Sequence, residues 1–117
     1  MRDLLRHLPL PPQHFEILLS LADRPQHGYG MVKDIRERTG GTVNLGLSSL
    51  YAAIRRLIRD GLVEEAGEQP RDESAGPPRR YYRLTADGRA VARLEAERAQ
   101  QVARTARERL LDRGRAG

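Results

Sequence analysis

The sequence predicts a mainly α-helical fold with a small β-hairpin: a winged helix-turn-helix followed by one long C-terminal helix. Three observations predict it. Residues 47 to 65, LSSLYAAIRRLIRDGLVEE, read as an amphipathic helix with a basic outer face that passes through a glycine stop into a short strand. Residues 79 to 85, RRYYRLT, read as a second strand after a polar interval rich in Pro and Gly. Two shorter helical segments precede them, which completes the element order.

Leu4 and Leu5 lie between charges and suit a short helix before Pro9. Pro11 and Pro12 fit the first turn of a helix, where a missing amide hydrogen costs nothing. Phe15, Ile17, Leu18, Leu19, Leu21 and Ala22 give that helix a broad apolar face, and it is expected to end near Asp23-Arg24-Pro25. His27-Gly28-Tyr29-Gly30 reads as a turn or helix start. Met31, Val32 and Ile35 then alternate with charged residues in a second helix stopped by Gly40-Gly41.

In the third helix Leu47, Leu50, Ile54, Leu57 and Ile58 form the expected apolar stripe. Ser48, Ser49, Ala52, Arg55, Arg56 and Arg59 share the opposite face. Gly46 or Ser48 is the N-cap, and Gly61 marks the end. Leu62-Val63 opens one strand. Arg80 to Leu84 forms the next, with Tyr82 and Leu84 on one face and Tyr81 and Arg83 on the other. Gly67 to Arg79 is too polar and broken to pack and reads as a mobile hairpin tip. Thr85 caps a last helix from Ala86 to about Leu111. Residues 1–85 thus form the helix-turn-helix unit, and residues 86–117 form a C-terminal helix and tail.

The 117 residues allow one small core, built mostly of Leu, Ile, Val and Ala because the chain has one Phe and no Trp. Such a core is marginal, so oligomerisation is expected. Net charge is +5, and every basic residue except Lys33 is arginine, a side chain suited to bidentate contact with phosphate and guanine. The absence of cysteine excludes disulfides and thiolate catalysis. No apolar run approaches the about 18 residues of a membrane span, so no membrane partner and a cytoplasmic location are expected. His7, His14 and His27 show no metal-ligand spacing, no nucleophile has a paired base, and the glycines form no phosphate-binding fingerprint. The chain is expected to be no enzyme and to need no cofactor or metal.

A helix-turn-helix lays its second helix in the major groove, with residues near that helix's N-terminus at the base edges. Ser48, Ser49 and Ala52 are small enough for close approach, and Arg55 and Arg56 lie about two turns further on. Read by itself this face is equally a solvated one, but the strand pair behind it favours DNA. Tyr51 sits at the edge of the stripe, with its hydroxyl toward phosphate or its ring simply packed. His27, Tyr29 and Lys33 near the second helix, and Arg79 and Arg80 entering the second strand, complete the candidate DNA contacts. Arg71 nearer the tip reads as solvated, with Glu68, Asp72 and Glu73 opposing it. Glu64-Glu65 and Glu95 with Glu97 read as solvated.

Val91, Leu94, Val102, Ala106 and Leu110 share a thin stripe of the last helix, interrupted by Arg98. A stripe this thin is not expected to dock on its own domain. Its small residues suit pairing with a second copy, so these six are the candidate dimerisation residues.

HGYGMVKDI at 27 to 35, SSLYAAIRRLIRDGLVEE at 48 to 65 and RRYYRLTADGRA at 79 to 90, with LPPQHFEILLSLAD at 10 to 23, resemble the PadR family of transcriptional regulators, small subgroup with a single C-terminal helix. The resemblance implies a winged helix-turn-helix repressor that dimerises through that helix. It places Tyr51 and the preceding serines at the DNA-facing start of the recognition helix. Gly46-Leu47 stands where the family often has Ser-Pro, and Ala52 stands where proline is common. Some members use a tryptophan to stack planar ligands between protomers; this chain has none.

The expected function is that of a homodimeric, sequence-specific transcriptional repressor bound to a double-stranded DNA operator, relieved by a small aromatic effector. The rival is a winged helix that binds an acidic protein and does not read DNA. The sequence names neither operator, regulated genes nor effector.

Overall fold

The computed structural model describes residues 3–69 and 79–112. A 3-10 turn over Leu4–His7 leads to α1 (Pro12–Ser20), β1 (Gln26–His27), α2 (Gly28–Arg38), α3 (Leu47–Arg59), β2 (Val63–Gln69), β3 (Arg79–Leu84) and α4 (Ala86–Ala106). A π-helical turn over Arg107–Asp112 extends α4. The expected winged-helix class is what forms, mostly helical with one small antiparallel sheet.

Its core gathers one face from every main element. Ile17 and Leu18 of α1, Met31 and Ile35 of α2, Leu50, Ile54 and Leu57 of α3, and Val91 of α4 are all buried. Burying one such side chain contributes roughly 1.5–3 kcal/mol, so this shared cluster holds the helices together. At the α1–α2 junction Arg38 donates to Glu16 at 2.7 Å and Asp34 at 2.9 Å, while Ser20 donates to Asp34 at 2.8 Å.

Local chemistry sets the turns. Gly61, at φ 77°, takes the left-handed backbone that follows the last turn of α3. Thr85 then serves two elements: its hydroxyl donates to the Gly61 carbonyl at 2.6 Å and accepts from the Gly88 amide at 2.9 Å, which caps α4. Gly88 packs against the Leu62 backbone, where an added Cβ would come within 2.9 Å of the carbonyl carbon. This close approach sends α4 back across its own domain.

The structure corrects several expectations. The first helix stops at Ser20, before Asp23-Arg24-Pro25, because residues 21–24 turn toward the sheet. Gln26 and His27 form a third strand that pairs with Tyr82 and Tyr81 of β3. The wing is longer than expected, since Gly67 to Gln69 belong to β2 and Arg79 to β3, with a bulge between Glu65 and Gly67. The rest of the expected tip, including Arg71, Asp72 and Glu73, lies outside the described residues.

In α3 the buried face is centred on Leu50, Ala53, Ile54 and Leu57. Leu47 and Ile58 are 45% and 38% exposed, because α2 and the sheet cover a narrower arc than the apolar stripe spans. The N-cap is Gly46, with no side-chain bond.

The largest correction concerns α4. Its first half does dock on its own domain, against α1 and the N-terminal 3-10 turn, and Val91 is fully buried there. Glu95, expected to be solvated, is 1% exposed and accepts from the Leu10 amide and from Arg98. Hydrogen-bond partners on both sides make that burial tolerable.

Candidate nucleic-acid interface

α2, the turn over residues 39–46 and α3 make the helix-turn-helix. Thr39 holds the turn, its hydroxyl donating to the Ile35 carbonyl at 2.8 Å and accepting from the Val43 amide at 3.1 Å. Leu45 anchors it in the core. This turn fixes the angle at which α3 leaves α2 and therefore which face of α3 remains uncovered.

That face carries Ser48, Ser49, Ala52, Arg55, Arg56 and Arg59, all exposed. Arg55 and Arg56 have no carboxylate partner among the described residues, so their charge is not neutralised within this chain. Arg59 has only a loose contact with Asp60, at 3.9 Å. Arg55 and Arg56, one turn past Ala52, border an open shelf with it. On the buried side of the same helix, His14 lies near enough to Arg56 to feel its charge. Burial first, and then that guanidinium, hold the imidazole below its usual 6.5, with Asp60 opposing them.

Tyr51 sits between core and surface. Its ring tilts against Tyr82 at 6.5 Å, and its hydroxyl end packs on Gly28, where an added Cβ would lie 2.7 Å from the ring carbon that bears the oxygen. Both readings of Tyr51 thus coexist in one side chain, packed along the ring and half-open at its tip. Burial pushes the neighbouring Tyr82 hydroxyl up, and the Tyr51 and Glu65 charges act in the same direction.

A second cluster brings together the start of α2 and the base of the wing. His27 caps α2, its Nδ1 accepting from the Gly30 amide at 3.0 Å. Arg79 reaches the same imidazole, with a guanidinium nitrogen 2.9 Å from Nε2, and lies 5.9 Å over the Tyr29 ring. Tyr81 packs edge-on against His27 at 5.2 Å. Tyr29 is 59% exposed beside them. Arg80 points along the wing and pairs with Glu65 at 3.4 Å, an exposed contact that contributes little. Lys33, one turn into α2, is exposed.

Of the eleven residues expected on the DNA face, His27, Tyr29, Tyr51, Arg79 and Arg80 surround one hollow. Ser48, Ser49, Ala52, Arg55 and Arg56 line the outer face of α3. Lys33 borders neither group. Sequence reasoning missed Leu47, which lines the hollow, and Tyr81, which buttresses His27. Leu47 is one helical turn before Tyr51, a spacing that places the two side by side. The link between His27 and Tyr81 depends on β1 pairing with β3, for which the sequence carries no periodic signal.

The six residues expected at a dimer seam divide. Val91 belongs to the core, Leu94 is half-buried, and Arg98 donates to Glu95. Val102, Ala106 and Leu110 are exposed and share with Gln101, Thr105 and Arg109 an open, mostly apolar hollow along the second half of α4 and its extension. No helix of the described residues is long and apolar enough to cross a membrane.

Comparison with known proteins agrees with this geometry. An uncharacterized protein of Lysinibacillus sphaericus is 31% identical over 74 residues, 63% of this chain and 65%, just under two thirds, of that relative's length. A PadR family transcription regulator from Clostridium difficile superposes with a TM-score of 0.71 at 21% identity, covering 84% of this chain and 97% of the other. Bacillus subtilis PadR, solved in complex with operator DNA, superposes with a TM-score of 0.61 at 19% identity over 73% of this chain and 46% of that one. At such identities the two structures establish a shared fold. The model of the transcriptional regulator PadR-like family matches residues 17–94, which run from α1 through both wing strands into the docked half of α4, so the chain belongs to that family.

Proposed function

We propose that the protein is a homodimeric, sequence-specific DNA-binding repressor. The observation that carries this reading is the outer face of α3, where Arg55 and Arg56 stand exposed without carboxylate partners beside the small residues Ser48, Ser49 and Ala52. Small side chains allow the helix to enter the major groove, and guanidinium groups can pair with guanine edges or phosphate. The wing supplies Arg79 and Arg80 alongside. Operator binding by the PadR of Bacillus subtilis, which has the same fold, supports the assignment.

Val102, Ala106 and Leu110 form the pairing surface. Two copies joined there present two α3 helices to half-sites about one helical turn apart. A small aromatic effector seated between the protomers would change that spacing and release the DNA; calorimetry against a compound panel reads this directly.

Selection of bound sequences from a random DNA pool tests the main reading. The expected product is a palindromic motif whose affinity falls steeply with salt, because arginine–phosphate contacts release counterions. Competition by any polyanion with no enriched motif would instead favour a module that binds an acidic protein.

A further inference from the structure

We propose that His27, Tyr29, Tyr51 and Arg79 form a seat for one phosphate of the nucleic-acid backbone, leaving base reading to α3; the inference rests on the DNA-binding function proposed above. It starts from a mismatch of donors. A neutral imidazole offers one lone pair and one N–H. The Gly30 amide donates to Nδ1 at 3.0 Å, which places the ring proton on Nε2. Yet an Arg79 guanidinium nitrogen, which can only donate, lies 2.9 Å from that same Nε2. In the opposite tautomer Arg79 gains its acceptor, and the Gly30 amide meets an N–H instead. Either way the ring cannot serve both donors.

An oxygen anion resolves this. Placed as the third corner of a triangle with Nε2 and the guanidinium nitrogen, it accepts from both while Gly30 keeps its cap. Room for it exists in the adjoining hollow of about 200 Å³, bounded by the starts of α2 and α3 and by β3. Arg79 has no carboxylate partner among the described residues, and its position over the Tyr29 ring holds the guanidinium at the hollow. The Tyr51 hydroxyl end, packed on Gly28, offers a further donor at the rim. Glu65, the nearby acid, is drawn along the wing by Arg80. The seat therefore carries donors and positive charge and suits a phosphodiester oxygen.

The test uses the full-length protein and its selected operator, synthesised with a single neutral methylphosphonate at each backbone position in turn. Wild-type protein is expected to lose roughly ten-fold or more in affinity at one position per half-site, the loss of a charge-assisted hydrogen bond. Arg79→Ala and His27→Asn should bind the unmodified operator more weakly by a similar factor and become insensitive at that position alone. Asparagine keeps an N-cap acceptor for Gly30, and a thermal melt checks that each variant is folded. Arg79→Lys, which keeps the charge but not the planar fork, provides a second variant and should recover part of the loss.

Variants with the same methylphosphonate profile as wild type would overturn the phosphate seat and leave the DNA reading intact. A wild-type protein that enriches no operator would sink the DNA reading itself. Ring-nitrogen NMR of His27 separates the possible sources of the anion: a shift on adding operator, but none with inorganic phosphate alone, is expected. An equal shift with inorganic phosphate would assign the seat to a free anion and overturn the proposal.

Discussion

The Leu10 amide donates a hydrogen bond to Glu95 Oε2 at 2.5 Å, joining residues 85 positions apart across the N-terminal arm and the last helix. The other carboxylate oxygen accepts from Arg98, so a buried charge is held from both sides. Removing it strands a buried amide and leaves Arg98 without its anion. Glu95→Ala should cost about 3 kcal/mol, whereas Glu95→Gln, which still offers Leu10 an acceptor, should cost about 1 kcal/mol. Urea denaturation of both variants checks the order; equal losses would contradict the role assigned to the carboxylate.

Gly88 sits where α4 crosses the end of α3. An added Cβ would meet the Leu62 carbonyl, whose oxygen also accepts from the Thr85 amide at 3.1 Å, so the neighbour is backbone and cannot swing away. Gly88→Ala should destabilise by about 3 kcal/mol despite alanine's higher helix propensity. Thermal unfolding reads this as a fall on the order of 10 °C or more.

Acid should unfold the protein in two stages. His14 is held below its usual 6.5, mainly by burial, so the folded state resists a proton that the unfolded chain accepts; stability is full above pH 6.5 and declines as pH falls below it. Burial pushes the Asp34 carboxyl up, but hydrogen bonds from Arg38 and Ser20 and the charges of Arg38 and Arg24 outweigh it and hold it below the usual 3.8. That contribution is full above about pH 3.8 and fades as pH drops through the folded value. His14→Gln should flatten the first decline and Asp34→Asn the second, measured as denaturation midpoints against pH.

On the proposed pairing surface, Val102 is 53% and Leu110 76% exposed. Val102→Asp, placing a charge in an apolar seam, should convert a dimer to a monomer in sedimentation equilibrium without loss of helix content. Val91→Ala should act differently, because Val91 lies wholly in the core: it should lower stability by about 1–3 kcal/mol and leave the oligomeric state of the folded protein unchanged.

Arg55→Ala and Arg56→Ala should each weaken operator binding by roughly ten-fold, reduce the salt slope if the lost contact is to phosphate, and leave circular dichroism unchanged. Both side chains are exposed and without carboxylate partners among the described residues, so their loss opens no cavity. An unaltered gel shift would reduce them to solubilising charges.

Much of the fold is local chemistry and was therefore legible. Pro12 opens α1, Gly61 follows α3, and Thr85 caps α4, each through the backbone of its immediate neighbours. The alternation of Tyr82 and Arg83 across β3 follows from the two-residue period of a strand. The candidate site was legible where it lies on one helix, as with Ser48, Ser49, Ala52, Arg55 and Arg56, because helical spacing alone puts them on a common face. It was not legible where His27, Tyr81 and Arg79 meet, since that contact depends on a two-residue strand.

By itself, then, the sequence determined the helices, their stops and caps, and the basic outer face of α3, all properties of residues within a turn or two of one another. Only tertiary packing decided that Val91 and Glu95 turn inward, that Leu47 and Ile58 stay outside, and that the wing base meets the start of α2. An apolar stripe states that a face can be buried; which part of it is covered depends on how closely a distant element can approach. In this chain that distance is set where Gly88 meets Leu62.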